Sequence, residues 1–381
     1  GLFRYPIFVL LGTLPLALLI ERDIALIASG FLTVTLGITM SIDYDHFLVV
    51  NLVAALVATV STRKIRRRKE IFEVCARVWL ATIPVVIAFN LFEDTLWNVH
   101  TLTDLLTTLI FIAATAILVV GLLPILEAVF GIVTDMTLME YADPSHPLLR
   151  RLGIEAPGTY QHSLLVGAIA EAAALKIGAN PLFCRVTALY HDVGKLAHPQ
   201  YFIENQMEGP SIHHLLTPSE SAHLIISHVS EGVILATKHG LPQGFMDVIQ
   251  EHHGTTAVYC FYRAQVDLLG GDTSLVEEAC FRYKGPKPRT RESAILMIAD
   301  TVEAAFRSLD VITEPVVTEM VDRLVREKID ERQLDLCPLT FEELDLVCRE
   351  MVKTLLVIHH NRIKYPAKPA PAIRELSVSR V

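Results

Sequence analysis

Seven residues carry the strongest chemical suggestion in this chain: His162, His191, Asp192, His228, His252, His253 and Asp300. Most of its 15 His fall between residues 162 and 253, and the five named here sit at helix ends or on helix faces beside apolar neighbours. Imidazole and carboxylate together suit iron, manganese or zinc, and a carboxylate that uses both oxygens can bridge two metals. Five His and two Asp are too many donors for one tetrahedral zinc. They fit two octahedral divalent ions that share one bridging Asp. Taken singly, each residue has a bland explanation, because a lone His near a helix end is commonly a cap or a solvated group. An HD or HH pair also arises by chance, so the joint order of the seven carries the argument.

Helices must position these donors, and the caps predict where they run. Thr159 is expected to cap a helix with His162 in its first turn. Asn180 and Pro181 start a second, predicted to end at Gly194 just past His191 and Asp192. Thr217, Pro218 and Glu220 form a capping box that opens a helix holding His228. Pro242 begins a short helix ending at His252, His253 and Gly254, and residues 291–309 form another around Asp300. Sustained period-two alternation with hairpin signals is missing, so a sheet is not expected in this part. The predicted fold class is therefore all-α: a polytopic membrane helix bundle followed by an all-helical domain.

The membrane part is read from a sharp division in the 381 residues, 52% of which are hydrophobic with a net charge of −9. Five apolar runs, roughly 6–20, 24–41, 47–61, 71–92 and 104–126, approach the ~30 Å needed to cross a bilayer. The first and third are short enough to be core helices of the bundle. One loop is strongly basic (Arg63, Lys64, Arg66, Arg67, Arg68 and Lys69), and such loops stay on the cytoplasmic side. Counting spans from it puts everything beyond residue 126 in the cytoplasm. Six positive charges between two apolar runs read as this topology signal, so no nucleic-acid partner is expected. The expected organisation is a transmembrane region over 1–126, a linker helix over 127–150, a soluble domain over 151–365 and a flexible tail over 366–381. The chain opens with Gly and shows no signal sequence, so it is expected to be a fragment. Six scattered Cys indicate neither disulfides nor a zinc knuckle.

The words APGTYQHS, ALYHDVGKL, YFIENQ, LTPSESAHLIISHVSEG, QEHHGT and FRYKGPKPRTRESAILMIADTVEA together resemble the HD-domain phosphohydrolases. The pattern is most similar to the membrane-bound seven-transmembrane branch, the PgpH-type cyclic di-AMP phosphodiesterases. One departure is Lys284, where a Pro is expected before GPKP. The resemblance implies a cytoplasmic HD domain on a bacterial inner membrane and two divalent ions, iron or manganese. It implies that His162, His191, Asp192 and Asp300 hold one ion and that His228, His252 and His253 hold the other, with Asp192 bridging. It further implies a cyclic dinucleotide as substrate, opened to linear pApA. Such ions, roughly 3.5–4 Å apart, would supply a bridging hydroxide and neutralise phosphate oxygens during in-line displacement. Lys195 has two readings: it adds charge against the phosphorane as a catalytic residue, or it pairs with a structural carboxylate.

His213, His214 and Arg289 are the candidates for contacting substrate phosphate, with Lys287 and Arg291 on the same charged loop. His198, His223 and His239 read as loop or surface groups. Two rivals remain open. One is an HD phosphohydrolase for another nucleotide, although the GYP word of the cyclic di-GMP branch is missing from EHHGTTAVYC. The other is a non-catalytic nucleotide-binding membrane receptor. The partners expected are the substrate and the lipid bilayer, and a homodimer is compatible with the sequence.

Overall fold

A computed structural model describes residues 7–39, 44–62, 65–206 and 211–360. The tail expected over 366–381 lies outside the described residues, as do Arg63 and Lys64 of the basic loop. Five apolar helices come first: α1 (Val9–Leu19), α2 (Arg22–Thr39), α3 (Tyr44–Ser61), α4 (Lys69–Phe92) and α5 (Val99–Phe130). By length and composition α2, α4 and α5 can cross a membrane, whereas α1 and α3 are apolar but shorter. They share a core of Leu10, Leu14, Val50, Ala54, Ile71, Val78, Ile112 and Val119. Outward they present Ile27, Phe31, Ile38, Leu80, Ile110 and Ile117. A helix bundle apolar both inside and outside is stable only where its outer surface meets lipid or protein.

Two short helices connect this bundle to the rest, α6 (Asp135–Tyr141) and α7 (Pro147–Glu155). Gly131 ends α5 in the left-handed region at φ 65, the conformation that glycine adopts without steric cost. Glu127, buried on the last turn of α5, then serves the start of α6. It accepts from the Thr134 backbone N–H at 3.3 Å, from the Thr134 hydroxyl, and from the Thr137 hydroxyl at 2.9 Å. Across the same junction the guanidinium of Arg68, at the end of the basic loop, meets Glu140 at 2.9 Å.

The remaining helices are α8 (Pro157–Lys176), α9 (Pro181–Ala188), α10 (Pro218–Lys238), α11 (Gln243–Glu251), α12 (Tyr259–Leu268), α13 (Arg291–Phe306), α14 (Glu314–Asp330) and α15 (Phe341–His360). Among the described residues there is no strand, only an isolated antiparallel bridge between Ala257 and Arg282, so the all-α expectation holds. Helix α8 packs on α9, α13 and α15 around Val166, Ile169, Ala173, Ile295, Val302 and Met351. A second core of Leu138, Leu149, Leu152, Tyr190, Phe245 and Ile249 joins α6 and α7 to α9 and α11. Two caps form as the sequence suggests: Asn180 accepts from Phe183 N–H, and Thr217 and Glu220 close a capping box. Thr290, which accepts from Ser293 N–H, caps α13.

Two expectations change. Thr159 lies inside α8, which begins at Pro157, and its buried hydroxyl donates to Glu204 at 3.0 Å instead of capping the helix. Helix α9 stops at Ala188 and not at Gly194; a turn carries His191 and Asp192 into a 3₁₀ segment, Val193–Ala197.

Candidate metal centre

Five elements converge on one point. Helix α8 delivers His162, the turn after α9 delivers His191 and Asp192, and α10 delivers His228. The end of α11 delivers His252 and His253, and α13 delivers Asp300. Gly194 makes this convergence possible. A Cβ there would come within 1.8 Å of the His228 carbonyl oxygen and 2.4 Å of Gly232 N. The 3₁₀ turn can therefore lie directly against α10 only with glycine at that position, and Asp192 comes within reach of His228 as a result.

The seven residues fall into two groups whose donor atoms lie within 4.8 Å of one another, Asp192 with His228, His252 and His253, and Asp192 with His162, His191 and Asp300. Asp192 faces both. Its Oδ2 is 3.3 Å from His191 Nε2 and 3.7 Å from His162 Nε2, while its Oδ1 is 3.3 Å from His228 Nε2 and 3.7 Å from His252 Nε2. Asp300 is similarly divided, with Oδ1 at 2.9 Å from His162 Nε2 and Oδ2 at 3.7 Å from His253 Nδ1.

Four of the rings are oriented from behind. His191 Nδ1 is 2.7 Å from the Ala188 carbonyl, His228 Nδ1 2.5 Å from Ile225 and His252 Nδ1 2.8 Å from Ile249. His162 Nδ1 meets Glu303 Oε2 at 2.5 Å. An Nδ1–H committed to a carbonyl or carboxylate leaves Nε2 as a free lone pair, the arrangement a metal-binding imidazole needs. His253 differs, since its ring stacks on Tyr283 with centroids 4.2 Å apart and planes at 26°.

The electrostatics differ between the two groups. Burial alone would raise Asp192, but Lys195 and His191 outweigh it and hold the carboxyl well below its ordinary range. Asp300 is held low in the same way, burial being outweighed by His162 and His191. Burial would lower His191, yet the carboxylates of Asp192 and Asp300 carry it up to about 10. His162 is raised by Asp300 and Glu303 against the same burial. Burial and the neighbouring His252 bring His228 down to about 4 and push His253 well below its ordinary value. Two buried atoms, His191 Nε2 and Asp192 Oδ1, make no hydrogen bond at all. Orphaned donors of this kind, within a set of five imidazoles and two carboxylates, fit divalent metal ions.

Around the seven stand residues that sequence reasoning did not single out. Glu303 lies three residues after Asp300 on the same face of α13, and Arg307 neutralises it at 3.1 Å. Glu204, from the YFIENQ word, meets Lys195 at 2.7 Å while Lys195 also meets Asp192 Oδ2 at 2.8 Å. Of the two readings for Lys195, the geometry shows the ion pair: its ammonium lies between two buried carboxylates. The proposed phosphate contacts are not brought to the two groups. His213 Nε2 bonds the Tyr201 carbonyl at 2.8 Å with its ring against Phe261, and His214 faces solvent. The Arg289 guanidinium bonds buried Glu251 at 2.6 Å and reaches Asp247 at 3.4 Å, which ties the 282–290 segment to α11.

This geometry agrees with what the chain is similar to. Residues 2–134 match the family model described as 7TM receptor with intracellular HD hydrolase, and residues 159–305 match the HD domain. The cyclic-di-AMP phosphodiesterase PgpH of Listeria monocytogenes is 36% identical over 92% of this chain and 49% of its own length. Its Bacillus subtilis counterpart is 36% identical over 93% and 50%. The chain thus spans about half the length of the curated relatives it matches. The crystal structure of the L. monocytogenes PgpH HD domain is 41% identical, is covered over 100% of its length by 57% of this chain, and superposes with a TM-score of 0.54. The same domain solved in complex with cyclic-di-AMP superposes equally well. With the bundle, the HD fold and the His and Asp constellation all in place, the chain belongs to the family of 7TM receptors with an intracellular HD hydrolase.

Proposed function

We propose that this chain hydrolyses cyclic di-AMP to linear pApA at a centre of two divalent ions, iron or manganese. One observation carries the reading: Asp192 turns one oxygen to each of two ligand groups, as a carboxylate bridging two ions must. Support for the substrate comes from the cyclic-di-AMP phosphodiesterase activity for which the two PgpH relatives are named and from the solved HD domain complexed with cyclic-di-AMP. Water adds to one phosphorus of the ring, the bond to the ribose 3′ oxygen breaks, and the product carries a 5′ phosphate and a 3′ hydroxyl. When bound, the ions supply hydroxide near neutral pH and neutralise the non-bridging oxygens.

The chain's own residues set the stage for that step. His162, His191 and Asp300 would hold one ion, His228, His252 and His253 the other, and Asp192 both. Glu303 and the three backbone carbonyls hold four rings in the tautomer that leaves Nε2 free. Lys195, anchored by Glu204, keeps Asp192 ionised and aimed, so it acts as a positioning residue.

The same proposal places residues 1–126 in a bacterial inner membrane, 127–150 as the connection and 151–365 as the cytoplasmic catalytic unit. Arg68 supports that sidedness, because its bond to Glu140 puts the basic loop against the segment that leads into the HD domain. The test is incubation of the purified full chain with manganese or ferrous iron and a panel of cyclic di-AMP, cyclic di-GMP and mononucleotides. Turnover of cyclic di-AMP, abolished together with metal occupancy by Asp192→Ala, is expected. Persistent hydrolysis by Asp192→Ala removes the bridging assignment, and turnover of a different nucleotide alone removes the substrate.

A further inference from the structure

The centre is closed on most sides. Side chains of His162, His191, Asp192, His228 and His252 are at most 3% exposed, whereas His253 is 23% and Asp300 11% exposed. A ligand must therefore approach from the side of His253 and Asp300. Tyr283 stands at that edge. Its ring stacks on His253 and meets His228 edge-on, with centroids 6.0 Å apart and planes at 80°. The backbone behind it is fixed, since Tyr283 N–H donates to the Thr256 carbonyl at 2.9 Å and Val258 N–H donates to the Phe281 carbonyl at 2.8 Å.

Tyr283 is half-buried, and its hydroxyl makes no hydrogen bond among the described residues. A donor at the open edge of the centre, with no acceptor from the protein, is free to serve a ligand that enters there. We propose that the Tyr283 hydroxyl donates a hydrogen bond to a non-bridging oxygen of the scissile phosphate. The inference rests on the phosphodiesterase reading above and adds a catalytic residue to it. Those oxygens gain negative charge as the fifth oxygen approaches phosphorus, so a fixed donor there binds the transition state more tightly than the ground state.

Tyr283→Phe tests this because it keeps the stacked ring and removes only the donor. With the full chain loaded with manganese, the variant is expected to keep its metal content and melting temperature. Its kcat on cyclic di-AMP should fall ~100-fold, the usual effect of losing one such donor, with little change in KM. The Rp,Rp and Sp,Sp dithio analogues give the second readout, since sulfur is a poor acceptor. For the diastereomer that places sulfur against the phenol, the loss in Tyr283→Phe should shrink several-fold, and for the other it should persist.

Wild-type turnover with an unaffected Tyr283→Phe overturns the inference alone. So does a loss equal on both diastereomers, or loss of metal from the variant, either of which assigns Tyr283 to supporting His253. A wild type that opens no cyclic di-AMP overturns the phosphodiesterase reading and this inference with it.

Discussion

Protons and metal ions compete for the same nitrogens in this centre, and the two ligand groups differ in how strongly they hold protons. His191, carried up to about 10, bears a proton at pH 7 once metal is chelated away, and His162 is raised in the same direction by Asp300 and Glu303. His228, down to about 4, and His253, lower than ordinary, are already neutral there. Loading of chelated protein at pH 7 should therefore release on the order of one proton from His191, and metal affinity should rise with pH. Calorimetry in buffers of different ionisation enthalpy measures this directly; identical heats in all buffers would contradict it. The sign for stability is the reverse. In chelated protein the raised His191 stabilises the fold fully below roughly pH 6.5 and progressively less as pH approaches about 10. Glu303 is the second handle at this scale. Glu303→Gln keeps an acceptor for His162 but removes the charge, and metal affinity of that group should drop by about tenfold or more. An unchanged titration curve would show that Glu303 does not tune the ring. The sequence offered all seven donors because each type announces its chemistry. Glu303 was equally visible three residues after Asp300, yet a carboxylate behind a ligand has no signature of its own.

Among the elements, the crossing of the 3₁₀ turn Val193–Ala197 over α10 decides whether the two ligand groups meet. Gly194 and Gly232 face each other there, and a Cβ on Gly232 would come within 2.8 Å of Ile249 as well. Gly194→Ala has no room, because the obstructing atoms are backbone and not a flexible side chain. It should destabilise the HD domain by roughly 3 kcal/mol and lose metal at the same time. Thermal melting with metal analysis checks it, and a variant that folds and loads normally would mean that the crossing can widen. Read from the sequence, Gly194 looked like a helix stop, since glycine after an apolar run commonly is one. Its actual role depends on a neighbour 38 positions away, which local patterns do not encode. Thr159 was misread for the same reason: its hydroxyl is engaged by Glu204 across the fold. The capping box and the Pro starts, which are purely local, were legible.

At the scale of the whole molecule, the bundle and the HD domain are joined through α6. Glu127 clasps its start, Arg68 its flank, and at its end the Tyr141 carbonyl accepts from the buried Tyr190 hydroxyl at 2.7 Å. Tyr190 immediately precedes His191 and Asp192, so the last apolar helix and the Asp192 carboxylate are separated by a short, well-bonded path. The apolar runs were plain in the sequence because lipid-facing composition needs no partner to be recognised. The junction was not, because it is built from contacts between Glu127, Thr134, Thr137 and Glu140 that look like ordinary linker residues. Sidedness is testable with native thiols. Cys260 and Cys280 are exposed on the HD domain, while Cys75 is buried in the bundle. In bacteria expressing the full chain, a membrane-impermeant maleimide should label Cys280 in inside-out vesicles and leave it untouched in intact spheroplasts. Replacing Cys280 by Ser identifies its share of the label, and Cys260→Ser does the same for its neighbour. Labelling of Cys280 from outside intact spheroplasts would reverse the orientation and separate the centre from any cytoplasmic nucleotide.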